Sequence, residues 1–151
     1  MSKICMIDIG DKEKTHRLAR ATAYVKLNKE LVNKIKNNTI PKGNVLETAR
    51  IAGILAAKKT PELIPLCHNI EIEYVNIDFK LMKDGILIES KVKTTSKTGV
   101  EMEALTACTI SALTIYDMCK MFTKLIQITD IELLEKSGGK SGIYKKEQNT
   151  R

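Results

Sequence analysis

Apolar positions recur along this chain at two periods, and the switches between them mark out its elements. Over residues 19–27 apolar and polar side chains alternate. Ala21, Ala23, Val25 and Leu27 fall on one face against Arg20, Thr22, Tyr24 and Lys26, which predicts a half-buried strand. Asn28 can cap a short helix from 29 to about 36, anchored by Leu31, Val32 and Ile35. A second helix is expected from 45 to about 59, with Asn44 at its cap and Glu47 three residues on, as in a capping box; Pro61 closes it. Residues 70–81 return to period two with a change of phase. Ile70, Ile72 and Tyr74 share one parity and Val75, Ile77, Phe79 and Leu81 the other, so a bulge or bend is expected near Tyr74. Asp84-Gly85 signals a hairpin, and Ile86, Ile88 and Val92 mark the strand that runs back to about 95.

The longest element is a helix from 103 to about 124. Leu105, Cys108, Ala112, Ile115, Cys119 and Phe122 recur on it at spacings of three and four, a core stripe. Glu103, Asp117 and Lys120 fall on a different stripe, away from that core, and Asp117 and Lys120 share a face one turn apart. A last strand covers 125–134, and the Gly-rich stretch from about 136 reads as a flexible tail. Before the first strand lies a short apolar piece, Ile4 to Ile9, followed by a polar turn.

The order strand, helix, helix, strand, strand, helix, strand collapses to a split βαβ plait. The expected class is α+β and ferredoxin-like, an antiparallel sheet with helices packed on one face. The sheet's other face must be wet or covered by another subunit. Apolar residues on both parities, Tyr74 against Val75 and Leu87 against Ile88, favour oligomerisation.

Composition narrows the function. The chain has 151 residues, 43% of them apolar and 28% charged, which suits one soluble folded domain. No apolar run is long enough to cross a membrane and the N-terminus lacks a signal peptide, so a cytoplasmic protein is expected. The four cysteines are unpaired by spacing, and with two histidines no zinc site is expected. A net charge of +7 implies an anionic partner. Aromatics at 4%, with no Trp, provide poorly for base stacking, so a small anionic metabolite fits better than nucleic acid.

Candidate chemistry collects in three stretches. Lys42 sits at the N-terminus of the second helix, where free backbone N–H groups favour an anion; as a plain loop lysine it needs no such role. Residues 63–69 form an unusually apolar connection, expected to thread near the core and to present His68 as a phosphate donor or general acid. Cys67 and His68, adjacent in an extended segment, point to opposite sides and so make no nucleophile pair. The long helix carries Glu101 and Glu103 at one end and Asp117 and Lys120 at the other. Fourteen residues separate Glu103 from Asp117, roughly 21 Å along a helix, so one small substrate reaches both only if a symmetric partner supplies one end. Gly139-Lys140-Ser141 imitates a phosphate-binding P-loop, but position 134 is Leu and no helix follows. Lys140 is then either an anion contact in a Gly-rich loop or a tail lysine.

Three blocks carry a resemblance: KGNVLETARIAGILAAKKTPELIPLCHNI, KTGVEMEALTACTISALTIYDMCK and KSGGKSG. Together they resemble the cyclic pyranopterin monophosphate synthases, the MoaC proteins of molybdenum cofactor biosynthesis, over about residues 6–145. The resemblance implies a ferredoxin-like homohexamer, a trimer of dimers with the active site at the dimer interface. It also implies a lyase whose substrate is the cyclised dihydro-GTP made by a radical enzyme, and whose products are cyclic pyranopterin monophosphate and pyrophosphate. No cofactor is implied. Matched position by position, Asp117 and Lys120 correspond to the catalytic pair, and Leu66, Cys67, His68, Met102 and Glu103 to the substrate-binding segments. Lys42, Glu101 and Lys140 match further pocket positions, and Arg17 and Lys58 look like triphosphate contacts. Asn44 departs from a common Asp, and either residue can cap the helix. Two other classes compete: a basic ferredoxin-like module that binds RNA or a nucleotide without chemistry, and a purely structural oligomer. The first needs aromatics on the open sheet face, where only Tyr74 and Phe79 offer themselves, at opposite parity. The second leaves the acidic residues and Lys120 without a purpose.

Overall fold

A computed structural model describes residues 3–147. Strand β1 (Thr15–Lys26) leads through α1 (Lys29–Lys36), α2 (Val45–Lys58) and the single turn α3 (Thr60–Leu63) to the hairpin β2 (Tyr74–Met82) and β3 (Gly85–Ser96). Helix α4 (Glu101–Cys119), β4 (Gln127–Ser137) and the two-residue β5 (Tyr144–Lys145) complete the chain. The sheet order is β2-β3-β1-β4-β5, antiparallel throughout. This is the expected α+β, ferredoxin-like plait with β5 added at one edge.

The core follows from the alternation in the strands. Ala19, Ala21, Ala23 and Val25 of β1 are fully buried, as are Ile86, Ile88 and Val92 of β3 and Ile77 of β2. They meet α1, α2 and α4 on one side of the sheet. The opposite face is polar around Arg20, whose guanidinium donates to Glu89 at 2.8 Å and to Glu135 at 3.3 Å.

Local signals set the helix starts. Asn28 Oδ1 accepts from the Leu31 N–H at 2.8 Å, and Asn44 Oδ1 accepts from the Glu47 N–H at 3.1 Å. The Glu47 carboxylate faces Arg50 rather than the cap. Gly43, before that cap, has φ +104°, which a side chain would strain. Helices α2 and α4 cross closely because small residues line the contact. A Cβ on Gly53 would lie 2.2 Å from Ser111 Oγ and 2.8 Å from the Ala107 carbonyl. Ser111 Oγ in turn donates to the Ala49 carbonyl at 3.0 Å.

Several boundaries differ from the sequence reading. Pro61 opens α3 instead of ending the helical region. The change of phase near Tyr74 marks a bend at Glu73 and the start of β2, not a bulge inside the strand. Helix α4 begins two residues earlier than expected and stops at Cys119, so Phe122 is 40% exposed and no part of the core stripe. The apolar connection at 63–66 lies open, with Leu63 53% and Leu66 48% exposed. The strand expected to end at 134 continues to Ser137, and β5 pairs back onto Glu135 and Lys136 where a flexible tail was expected. No described helix is long and apolar enough to cross a membrane.

Candidate active site

The N-terminal end of α4 opens into a cavity of about 580 Å³. Six residues singled out in the sequence line it: Leu66, Cys67, His68, Glu101, Met102 and Glu103. The cavity exists because the α3–β2 connection passes in front of the first turn of α4, and Gly99 lets Glu101 fold back over the chain. A Cβ at Gly99 would sit 1.9 Å from Glu101 Oε2. Free amides at a helix start favour carboxylates there.

The two carboxylates differ. Glu101 is half-buried and accepts from Lys136 Nζ at 2.9 Å. Glu103 was expected on an outward stripe, and that expectation is corrected: it is only 2% exposed. The first turn of α4 is covered from two sides, so its stripe of burial is wider than the spacing suggested. Burial, together with the neighbouring Glu101 charge, pushes the Glu103 carboxyl up to about 7, against its own backbone N–H, which favours the anion. A carboxyl poised there both donates and accepts protons near neutrality. Burial and the same carboxylate raise the Cys67 thiol, so it stays protonated and makes no nucleophile. His68 Nε2 lies 2.7 Å from the Ile7 carbonyl.

The other end of α4 holds a second cluster. Asp117 Oδ1 is 2.7 Å from Lys120 Nζ and Oδ2 is 2.8 Å from Lys42 Nζ, which also donates to the Asp117 carbonyl at 3.0 Å. All three side chains are about half exposed. Hydrogen bonds from Lys120 and then Lys42 hold the Asp117 carboxyl down at about 2, and the same contact raises Lys120. The trio is therefore one carboxylate between two ammonium groups. Lys42, placed by the sequence beside an anion site at the start of α2, reaches across to α4 instead.

Three candidates lie apart from both clusters. Lys58 ends α2, exposed and without an ion pair among the described residues. Lys140 is exposed on a turn built by Gly138 and Gly139, with φ of +99° and +75°. Arg17, expected as a triphosphate contact, donates to the carbonyls of Ser96, Gly138 and Lys97 at 3.2–3.3 Å. Sequence reasoning missed Lys136 and the segment before β1. Cys5, Ile7, Ile9 and Lys12 also line the cavity, and only a short apolar run hinted that this segment docks anywhere.

A family model described as the MoaC family matches residues 6–139. The chain belongs to the MoaC family. It is 50% identical over 142 residues to a cyclic pyranopterin monophosphate synthase of Peptoclostridium acidaminophilum, which covers 94% of this chain and 90% of that one. It is 52% identical over 139 residues to the protein of the same name from Syntrophomonas wolfei, covering 91% and 88%. A relative from Clostridium botulinum with that name is 50% identical over 141 residues. The matched span of this MoaC-family chain takes in both ends of α4 and the turn before Lys140.

Proposed function

We propose that this chain is a cyclic pyranopterin monophosphate synthase of molybdenum cofactor biosynthesis, a cytoplasmic lyase. It acts on cyclised dihydro-GTP and releases pyrophosphate as the cyclic phosphate closes. The observation that carries this reading is half-identity to several synthases of that name along nine-tenths of both chains. The site's chemistry supports it. The reaction moves protons at several positions while a ribose hydroxyl displaces pyrophosphate, so it needs acid–base groups and cations together. In this reading Glu101 and Glu103 accept the N–H donors of the guanine-derived edge, and Leu66, Cys67 and Met102 wall the pocket. Lys42, Lys58, His68 and Lys140 neutralise phosphate charge. Lys120, kept protonated by Asp117, donates a proton rather than taking one.

We also propose that the catalytic unit is a two-fold dimer within a trimer of dimers. One chain carries the acidic cavity and the Asp117–Lys120 pair at opposite ends of a 19-residue helix, too far apart for one substrate. The outer surface of the helix layer carries Ile51, Leu55 and Leu113, each 49–60% exposed, as an interface with a second copy requires.

Incubation with the cyclised dihydro-GTP intermediate, following pyrophosphate and pyranopterin, tests the assignment. Turnover by the parent and its loss in Asp117→Asn is the expected outcome. A parent that binds substrate and releases no pyrophosphate is a binding module and overturns the proposal.

A further inference from the structure

We propose that Arg17 is a positioning residue, a latch that fixes the turn carrying Lys140 against the turn that leads into Glu101 and Glu103. The inference rests on the synthase reading for its kinetic consequence, but its geometry stands alone. Arg17 lies near the start of β1, where β1 meets the end of β3 on one side and the end of β4 on the other. Its guanidinium reaches both connections at once. Nε donates to the Ser96 carbonyl at 3.3 Å and one terminal nitrogen to the Lys97 carbonyl at 3.2 Å, at the exit of β3. The other terminal nitrogen donates to the Gly138 carbonyl at 3.2 Å, at the exit of β4. All three guanidinium nitrogens are thus tied to main chain.

The glycines make this contact possible. A Cβ on Gly138 would fall 2.0 Å from the His16 carbonyl, and one on Gly139 would fall 2.0 Å from an Arg17 terminal nitrogen. Both residues have positive φ, so the turn folds down onto the guanidinium only because neither carries a side chain. Lys140 follows directly, and Glu101 lies four residues beyond Lys97. Lys136 bridges the same two segments through its ion pair with Glu101. A planar fork with donors in fixed directions can hold three carbonyls on two separate segments; a lysine ammonium at the end of a flexible stem cannot.

The charge-keeping variant separates this role from direct phosphate binding. Arg17→Lys and Arg17→Ala are compared with the parent for steady-state kinetics and for amide hydrogen exchange at 97–99 and 138–142 without substrate. The latch predicts that both variants exchange faster in these two segments alone. It also predicts that both lose about 100-fold in kcat with little change in KM, the scale of an ångström's misplacement of reacting groups. Gly139→Ala, which leaves Arg17 in place but blocks the contact, should reproduce the same exchange pattern and kcat loss. Its position in the turn after β4, outside the sheet, keeps the test available should Arg17→Ala fold poorly. An Arg17→Lys enzyme near the parental rate, or an Arg17→Ala enzyme with raised KM and unchanged exchange, overturns the latch. A parent without turnover overturns the synthase reading instead, and the exchange comparison then decides the latch by itself.

Discussion

Glu103 offers a stability test with a worked sign. Its carboxyl is 2% exposed and its folded pKa is about 7, against an ordinary value of 4.5. Between those two values the unfolded chain has released the proton while the folded protein keeps it. Stability therefore falls as pH rises through that window, and it is flat in this respect below 4.5 and above about 7. A gap of about 2.5 units at 1.36 kcal/mol per unit amounts to about 3 kcal/mol. Glu103→Gln keeps the shape and removes the titration. Urea unfolding of the parent and of this variant, at pH 4.5 and 8 and at one protomer concentration, isolates the effect. The parent should lose about 3 kcal/mol more than the variant between the two conditions, roughly a 1–3 M difference in midpoint shift for ordinary urea slopes. Asp117 does not confuse the comparison, because its ordinary value of 3.8 and its folded value of about 2 both lie below the window. Parallel pH profiles in the two proteins would refute a protonated, buried Glu103.

Three further outcomes follow from the geometry. Gly53→Ala places a methyl group 2.2 Å from Ser111 Oγ at the α2–α4 crossing and should cost about 1–3 kcal/mol in urea unfolding. Asn44→Ala removes the cap of α2 and should cost about 1 kcal/mol, whereas Asn44→Asp should melt within a degree or two of the parent. Mixing inactive His68→Ala and Asp117→Asn proteins after subunit exchange should restore about a quarter of parental turnover, since in two-fold hybrids one of two shared sites is intact. No recovery after demonstrated exchange would refute a site shared across the two-fold axis.

Much of the fold was legible because its signals are local. The Asn28 and Asn44 caps, the alternation along β1 and the Asp84-Gly85 hairpin are each decided within a few residues, and the plait follows from their order. The helix α4 was less legible at both ends. Val100 makes no side-chain cap, so nothing in the sequence marked Glu101 as the first helical residue. Its buried stripe is wide because the sheet and α2 enclose it together, and a carboxylate on such a helix reads as outward until that enclosure is known. Within each block the candidate residues were already neighbours in the sequence. Which blocks meet was not readable: Lys42 joins Asp117 across 75 residues, and Arg17 joins Gly138 across 121. The segment before β1 gave least, since an apolar run of six residues does not say what it covers.

Helix α4 keeps packing and chemistry apart along one axis. The inward side of its middle is enclosed, so the residues on that side are mostly small and their polar atoms are committed. Ser111 Oγ donates to Ala49, and Cys108 Sγ donates to the Ala21 carbonyl at 3.3 Å. A charge in that stretch would lose its hydration with no partner to replace it. Charged side chains gather at the two ends, where the helix dipole favours Glu101 and Glu103 at the amide end and Lys42 and Lys120 at the carbonyl end. Asp117 sits at the unfavourable pole and is held there by the two ammonium groups that flank it. A substrate with N–H donors on its ring edge and a triphosphate at its other end is polar in the same sense as this helix. One copy of α4 holds the two poles too far apart for it, but an antiparallel copy across a two-fold axis sets the acidic pole of one helix beside the basic pole of the other. Under that pairing the interface is a condition for turnover more than for folding. A variant made monomeric by charges at Ile51 and Leu113 should therefore keep the plait, measured by far-UV circular dichroism, and lose the reaction.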